Sequence, residues 1–259
     1  MTESKRYFGC IRDKPDPRDH KYTPSAAHLS SPPTKVDLRP QCPPVYDQTP
    51  LNSCTANATA AAIEFERMRL KLAPDYTPSR LFIYYNGRKL AGTVAQDAGM
   101  PLRDAIKTAA KQGDCPEPQW PYDPAKVLDA PSPQCYSAAV KVGTLAYKAV
   151  QQDIAHMKAC LAAGRPFVLA IHVYTGSETP EAKASCTFPV PQKGESLVGT
   201  HAVMAVGYDD AQGHLIIRNS WGPNWGQGGH FFLPYGYAAN PAYAGDLWTL
   251  RLTPAATPV

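Results

Sequence analysis

Apolar residues fall into two regimes along this chain. Between about residues 52 and 112 they recur at helical spacing, whereas from about residue 167 they form short continuous runs bounded by Gly or Asp. The strongest helical stretch starts at about Asn52, with Ser53 as the expected N-cap. Ala56, Ala58, Ala60, Ala61, Ala62, Ile63, Phe65 and Met68 follow, with small or apolar residues around most of the circumference, which predicts a helix buried in the middle of the molecule and stopped by Pro74. A second helix is expected at about 78–90 through Leu81, Phe82 and Tyr85. A third is expected at about 101–112, opened by Pro101 and closed before Gly113. Prolines make 114–135 irregular, and a short helix near 151–163 ends at Gly164. The runs Phe167 to Ile171, His201 to Val206 and His214 to Arg218 read as strands, with two more at 229–233 and 247–252. Helices first and strands second imply an α+β fold with two segregated lobes, and no internal repeat is present.

Composition changes this picture mainly at the start. The chain has 27 prolines, five of them in a polar opening stretch of about 35 residues that cannot build a core alone. Residues 1–35 are therefore expected to form an extended arm, and 36–259 one domain with a mainly helical lobe at about 50–145 and a mainly β lobe at about 146–259. The net charge of +4 comes from interleaved acids and bases, which points away from a nucleic-acid partner. No apolar run is long enough for a membrane span, so no membrane partner is expected. The first six residues carry charge with no apolar leader behind them, so the expected location is the cytoplasm, or outside it by a non-Sec route. Oligomeric state leaves no mark in the sequence.

Seven cysteines include no C-x-x-C pair, which removes zinc-ribbon and thioredoxin-like chemistry. Cys115 and Cys135 bracket a proline-rich loop; they could bridge in an oxidising setting or act as small buried hydrophobes in a reducing one, and the missing leader favours the second. His20, His28, His156, His172, His214 and His230 lack partners at metal-ligand spacing, so neither metal nor cofactor is expected.

Cysteine chemistry requires a thiolate, and a helix N-terminus and an imidazolium both favour the anion. Cys54 falls in the first turn of the apolar helix. Six residues before it, Gln48 has a side-chain amide that could join the Cys54 N–H in binding an oxyanion. About 150 residues downstream, His201 heads an apolar strand, and Asn219 ends the next one in Arg218-Asn219-Ser220-Trp221-Gly222. An Asn accepting the imidazole N–H fixes its tautomer, and Trp221 can shield that bond from water.

These residues resemble the papain-like cysteine peptidases: Gln six residues before a Cys at a helix start, a distant His-Ala-Val strand, and Asn219-Ser220-Trp221-Gly222 continuing to Trp225-Gly226 and Gly229. The resemblance covers about residues 36–252, with Val36-Asp37-Leu38-Arg39 similar to the start of the mature domain. It implies a papain-like two-lobe fold, helical on one side and β-barrel-like on the other, with the active-site cleft between them. It implies Cys54 as nucleophile, His201 as base, Asn219 as its orienting partner and Gln48 in the oxyanion hole. It also implies a substrate-binding strip at Gly99-Met100-Pro101, where a bare Gly99 backbone admits a peptide, and an apolar second-residue pocket formed by Met100, Pro101 and Ala202, with Trp221 beside it. Read from its residues alone, Gly99-Met100-Pro101 is equally an ordinary loop before a helix.

The reaction so implied is peptide hydrolysis through a thioester, by an endopeptidase acting on peptides or proteins. A blocking loop that would make it an exopeptidase has its natural place at 176–200. Two departures from the family pattern stand out: Thr55 where Trp usually follows the nucleophile, and Leu51 where a disulfide cysteine is usual. The arm is shorter than the inhibitory prosegments of eukaryotic members, and it is expected to lie along the cleft and modulate access. The alternatives are a catalytically quiet papain-fold binding protein, and a related Cys-His amidase or leader peptidase, which generally lacks the Asn-Ser-Trp-Gly segment.

Overall fold

The computed structural model describes residues 7–139 and 144–253. In chain order the elements are β1 (Cys10–Ile11), α1 (Ala26–Ser30), β2 (Lys35–Asp37), α2 (Cys54–Arg69), α3 (Arg80–Ala91), β3 (Met100–Pro101), α4 (Leu102–Gln112), α5 (Pro133–Ala139), β4 (Thr144–Ala149), α6 (Ile154–Ala162), β5 (Phe167–Tyr174), α7 (Pro180–Ser185), β6 (Leu197–Asp209), β7 (His214–Arg218), β8 (His230–Pro234), α8 (Tyr235–Ala238) and β9 (Ala244–Thr253). The long helices precede the long strands, giving the α+β arrangement expected from the two hydrophobic regimes.

The strands form an antiparallel sheet in the order β4-β9-β5-β6-β7-β8, with β2 paired to β6 beside this path. β5 is buried over nearly its whole length, which is why its sequence is a continuous apolar run without alternation. β6 is much longer than the apolar run His201–Val206, because its less buried start at Leu197–Thr200 still pairs with β5.

Helix α2 lies at the centre. Of its residues, only Met68 and Arg69 escape burial. The alanines from Ala56 to Ala62 let the sheet and the neighbouring helices approach the helix backbone closely, and one core cluster runs through α2, α3, α4 and the sheet. At its far end Glu66, buried, accepts from Arg251 Nη1 at 2.6 Å and from the Leu252 N–H at 3.2 Å, tying α2 to β9. At its near end Ser53 occupies the N-cap position without capping. Its hydroxyl instead meets the Tyr122 hydroxyl at 2.5 Å and the Asn57 amide at 3.0 Å. The helix ends at Arg69, before Pro74 is reached.

Wholly buried Arg88 on α3 organises the loop ahead of β3. Its guanidinium donates to the carbonyls of Gln96 at 2.6 Å and Val94 at 3.4 Å, and to that of Val127, while lying 4.1 Å from the Tyr84 ring centroid. Tyr84 donates to Asp97 at 2.5 Å, and Asp97 accepts the Asn52 N–H just before α2. One buried cation therefore positions both Gly99 and the approach to Cys54. Cys115 and Cys135 are neighbouring buried thiols.

Truncating Arg88 leaves three carbonyls without their donor. Arg88→Ala is expected to cost about 3 kcal/mol, a fall in Tm on the order of 6–12 °C by calorimetry. Arg88→Lys should recover only part of this, since one ammonium cannot reproduce the planar fork. A fall of less than ~2 °C in Arg88→Ala would show that the loop holds itself.

Candidate active site

Cys54 opens α2, and its side chain is fully buried. Its sulfur accepts backbone N–H groups of Ala202 on β6, of Gly9 from the arm and of Thr55. Burial pushes the thiol up to about 11, against the partial stabilisation those N–H groups give the anion. In this covered position the neutral thiol is favoured over the thiolate.

Register places the histidine. His201 on β6 pairs with Ile171 on β5, and Asn219 follows directly after β7, the other neighbour of β6. This brings His201 Nε2 to 2.8 Å from Asn219 Oδ1. Asn219 is itself fixed, its N–H donating to the Gly229 carbonyl at 3.0 Å. Trp221 stacks on the imidazole with centroids 4.7 Å apart and planes at 21°, and Trp225 closes against Trp221 edge-on at 4.8 Å. The His–Asn pair is wholly buried beneath this aromatic cover.

Gln48 is held by the same segment. Its N–H donates to the Ser220 carbonyl at 2.8 Å, and the Ser220 hydroxyl donates to Gln48 Oε1 at 2.7 Å. With Oε1 so engaged, Nε2 is the donor end, giving its hydrogens to the Leu51 carbonyl at 2.9 Å and to the Tyr7 carbonyl of the arm at 3.2 Å. Ser220 lies in the Asn-Ser-Trp-Gly segment, but nothing local in the sequence marks its hydroxyl as the partner of a side chain 172 positions away.

The structure thus brings His201, Asn219 and Trp221 together, ties Gln48 to them through Ser220, and sets Cys54 beside the residue that follows His201 on β6. Ala202 joins them through its N–H, with its side chain buried. Met100 and Pro101 form β3, which pairs in parallel with β1 of the arm, Cys10 opposite Met100 and Ile11 opposite Pro101. The Met100 N–H donates to the Gly9 carbonyl at 3.0 Å. A Cβ on Gly99 would overlap the Gly9 backbone, and one on Gly9 would overlap the Asn52 carbonyl, so both glycines are required for the arm to pass this closely. Phe8 sets its ring edge against both His201 and Trp221, each at 5.9 Å. The two departures are accommodated as packing, with Thr55 and Leu51 both buried. Among the described residues no group of three or more His, Cys, Asp or Glu side chains could hold a metal ion.

Beyond these residues the arm continues through contacts the sequence did not announce. Arg12 Nε donates to Asp246 at 2.8 Å, and the Asp13 N–H donates to the same oxygen at 3.0 Å. Asp13 in turn accepts from the Arg103 N–H at 3.0 Å and Trp248 Nε1 at 2.9 Å. Burial first, then the charge of Asp246, raises the Asp13 carboxyl to about 6.

Comparison with known proteins gives a consistent answer. A family profile described as papain family cysteine protease matches residues 32–242. The crystal structure of xylellain, a cysteine protease from Xylella fastidiosa, superposes with a TM-score of 0.89 at 45% identity, covering 96% of this chain and 97% of that one. The peptidase C1-like protein L477 of Acanthamoeba polyphaga mimivirus is 34% identical over 270 residues, covering 95% of this chain and 87% of the relative. The recombinant stem bromelain precursor shares the fold at 20% identity with a TM-score of 0.70. The chain belongs to the papain family of cysteine proteases.

Proposed function

We propose that this cysteine peptidase works through Cys54, His201 and Asn219, with the arm docked in the cleft as a built-in restraint. The observation that carries the reading is the buried His201–Asn219 hydrogen bond under Trp221, on the strand whose next N–H, that of Ala202, meets the Cys54 sulfur. Asn219 Oδ1 accepts from Nε2–H, which leaves the other ring nitrogen to exchange a proton with the thiol. The Cys54 thiolate attacks the peptide carbonyl, and the oxyanion receives the Gln48 amide and the Cys54 N–H. His201 protonates the leaving amine, then activates the water that hydrolyses the thioester. Met100, Pro101 and Ala202 supply apolar walls for the second residue of the substrate, and internal peptide bonds are the expected targets.

In the docked state the Tyr7 carbonyl takes the Gln48 amide, Phe8 covers His201, and Gly9 presents an N–H to the sulfur. An N–H facing the nucleophile is not an electrophile, which supports an arm that covers the site without being cleaved there. Departure of the arm would bring water to Cys54 and remove the burial that holds its thiol neutral.

Turnover of a fluorogenic dipeptide amide with an apolar second residue, under mild reductant, tests the chemistry. Cys54→Ala is expected to abolish it, by at least ~10³-fold, and Gln48→Ala to lower kcat by about 10²-fold. Retained turnover in Cys54→Ala would sink the assignment.

The arm is tested by crowding it. Gly9→Val cannot pass the Asn52 carbonyl, so initial rates of the full chain are expected to rise about tenfold, equivalent to displacing some 1.4 kcal/mol of docking. Unchanged or lower rates would show that the arm does not restrain the enzyme.

Docking should also depend on pH. Asp13 faces Asp246, Arg12, Arg103 and Trp248, with His172 beyond Arg12. Its docked carboxyl is raised to about 6 from an ordinary 3.8, so the released arm binds fewer protons than the docked arm between those values. Docking is therefore strongest below the lower value and weakens as pH rises through the higher one. Protease nicking of the arm should accelerate between about pH 4 and pH 6.5, and Asp13→Asn should flatten that profile. An identical profile in Asp13→Asn would exclude Asp13 as the titrating group.

A further inference from the structure

The loop that carries Gln48 is open on one side. Tyr46, Asp47, Thr49 and Pro50 line a cleft of about 600 Å³ together with Arg80 and Tyr122, so packing does not enclose the loop there. Thr49 sits at φ 42°, a left-handed conformation that a β-branched residue adopts only where its surroundings impose it. No disulfide ties the loop down, every described cysteine being a free thiol. The β lobe holds Gln48 through Ser220. The helical lobe holds it through one hydroxyl.

That hydroxyl belongs to Tyr122, in the proline-rich stretch beyond α4. It donates to the Gln48 carbonyl at 2.8 Å, closer than the Leu51 N–H at 3.4 Å. With its proton spent there, the Tyr122 oxygen accepts from the Ser53 hydroxyl, 2.5 Å away. Ser53 Oγ in turn accepts from Asn57 Nδ2 at 3.0 Å. Arg80 orients Asn57, its Nη1 donating to Oδ1 at 3.2 Å. The same Nη1 donates to the Asp47 carbonyl at 3.1 Å, and the rest of the fork grips Glu117 at 2.6 and 2.9 Å. The Arg80 guanidinium also lies 3.9 Å from the Tyr122 ring centroid, which holds the ring in place. The donors therefore run one way, from Arg80 through Asn57, Ser53 and Tyr122 to the backbone of Gln48. Ser53 leaves α2 uncapped to join this series. It is also the residue before Cys54, so the series joins the Gln48 segment to the peptide that presents the Cys54 N–H.

We propose that Tyr122 is a positioning residue for the oxyanion site, its hydroxyl fixing the spacing between the Gln48 amide and the Cys54 N–H while Arg80 clamps its ring. The proposal rests on the thiol chemistry set out above and deepens it. Oxyanion donors lower a barrier only when they are already in place as charge develops, and a misplacement of about 1 Å can cost on the order of 10²-fold in rate. A loop bordered by an open cleft needs such a tie more than a packed one does.

Measurements on the full chain test this. Tyr122→Phe keeps the ring on its cation and removes only the hydroxyl. Its kcat on the dipeptide amide is expected to fall about tenfold, with KM unchanged within about twofold. The arm competes with substrate, so a change in docking alone would move KM instead. Alkylation of Cys54 by iodoacetamide, which displaces iodide and builds no oxyanion, is expected to stay within about twofold of the unmodified rate. In a Gln48→Ala background the same substitution should lower kcat by about twofold or less, because the group it positions is gone. A hydroxyl with only a structural role would lower kcat equally in both backgrounds. Unchanged kcat in Tyr122→Phe, or an equal fall with and without Gln48, would overturn the proposal. Hydrogen exchange needs no turnover: amides in 47–54 are expected to exchange about tenfold faster in Tyr122→Phe, with those of β6 unchanged. No acceleration would likewise overturn it. Faster exchange in a chain that hydrolyses no amide would sustain the tie and defeat the peptidase chemistry. Turnover at the unmodified kcat in Tyr122→Phe would do the reverse.

Discussion

The burial of one helix end governs this molecule. Helix α2 is enclosed on almost every side, and its first residue is Cys54. Enclosure fixes the position of the sulfur to within the tolerance of a packed core, which pre-organised chemistry needs. The same enclosure raises the thiol, because a thiolate without water or a counter-charge is unfavourable. Everything around α2 can be read as answering that conflict: N–H groups aimed at the sulfur, a histidine on the adjoining strand, and a cleft wall that can be covered or opened.

The arm answers it in the resting state. It makes no core of its own, yet it satisfies the Gln48 amide, the Met100 N–H and the Asp246 carboxylate. Because each of these is a polar group facing an apolar or buried surface, leaving any of them bare costs free energy. A segment of so few contacts can therefore bind well, since each contact relieves an existing deficit. Further along, Tyr22 and His20 exchange backbone hydrogen bonds with Ala149, and Tyr208 donates to the Pro33 carbonyl, so the arm is anchored over the β lobe as well as in the cleft.

Much of this was legible beforehand. The alanine-rich stretch after Ser53 could only be a buried helix, and the switch from helical spacing to short apolar runs gave the α+β class. Element ends were less secure. Ser53 did not cap, since Tyr122 and Asn57 claimed its hydroxyl, and α2 stopped at Arg69, well short of the proline expected to end it. Boundaries turn on local competition for hydrogen bonds, which periodicity does not record. The candidate site residues were legible because each lies in a distinctive local segment.

What the sequence by itself determined was therefore the class of the fold, the family, and the residue types that could carry thiol chemistry, because each of these is encoded in short-range pattern and spacing. Only the tertiary structure decided that Gln48 is turned donor-end outward by Ser220, that Cys10 and Ile11 run alongside β3, and that Asp246 has an arm residue, Arg12, as its counter-ion. Those pairings join residues far apart in the chain, by 172 positions for Gln48 and Ser220 and by 234 for Arg12 and Asp246, in a fold whose strand order in the sheet is not their order in sequence. A contact of that kind depends on register and on which neighbour removes water from which charge. Both are properties of the assembled fold.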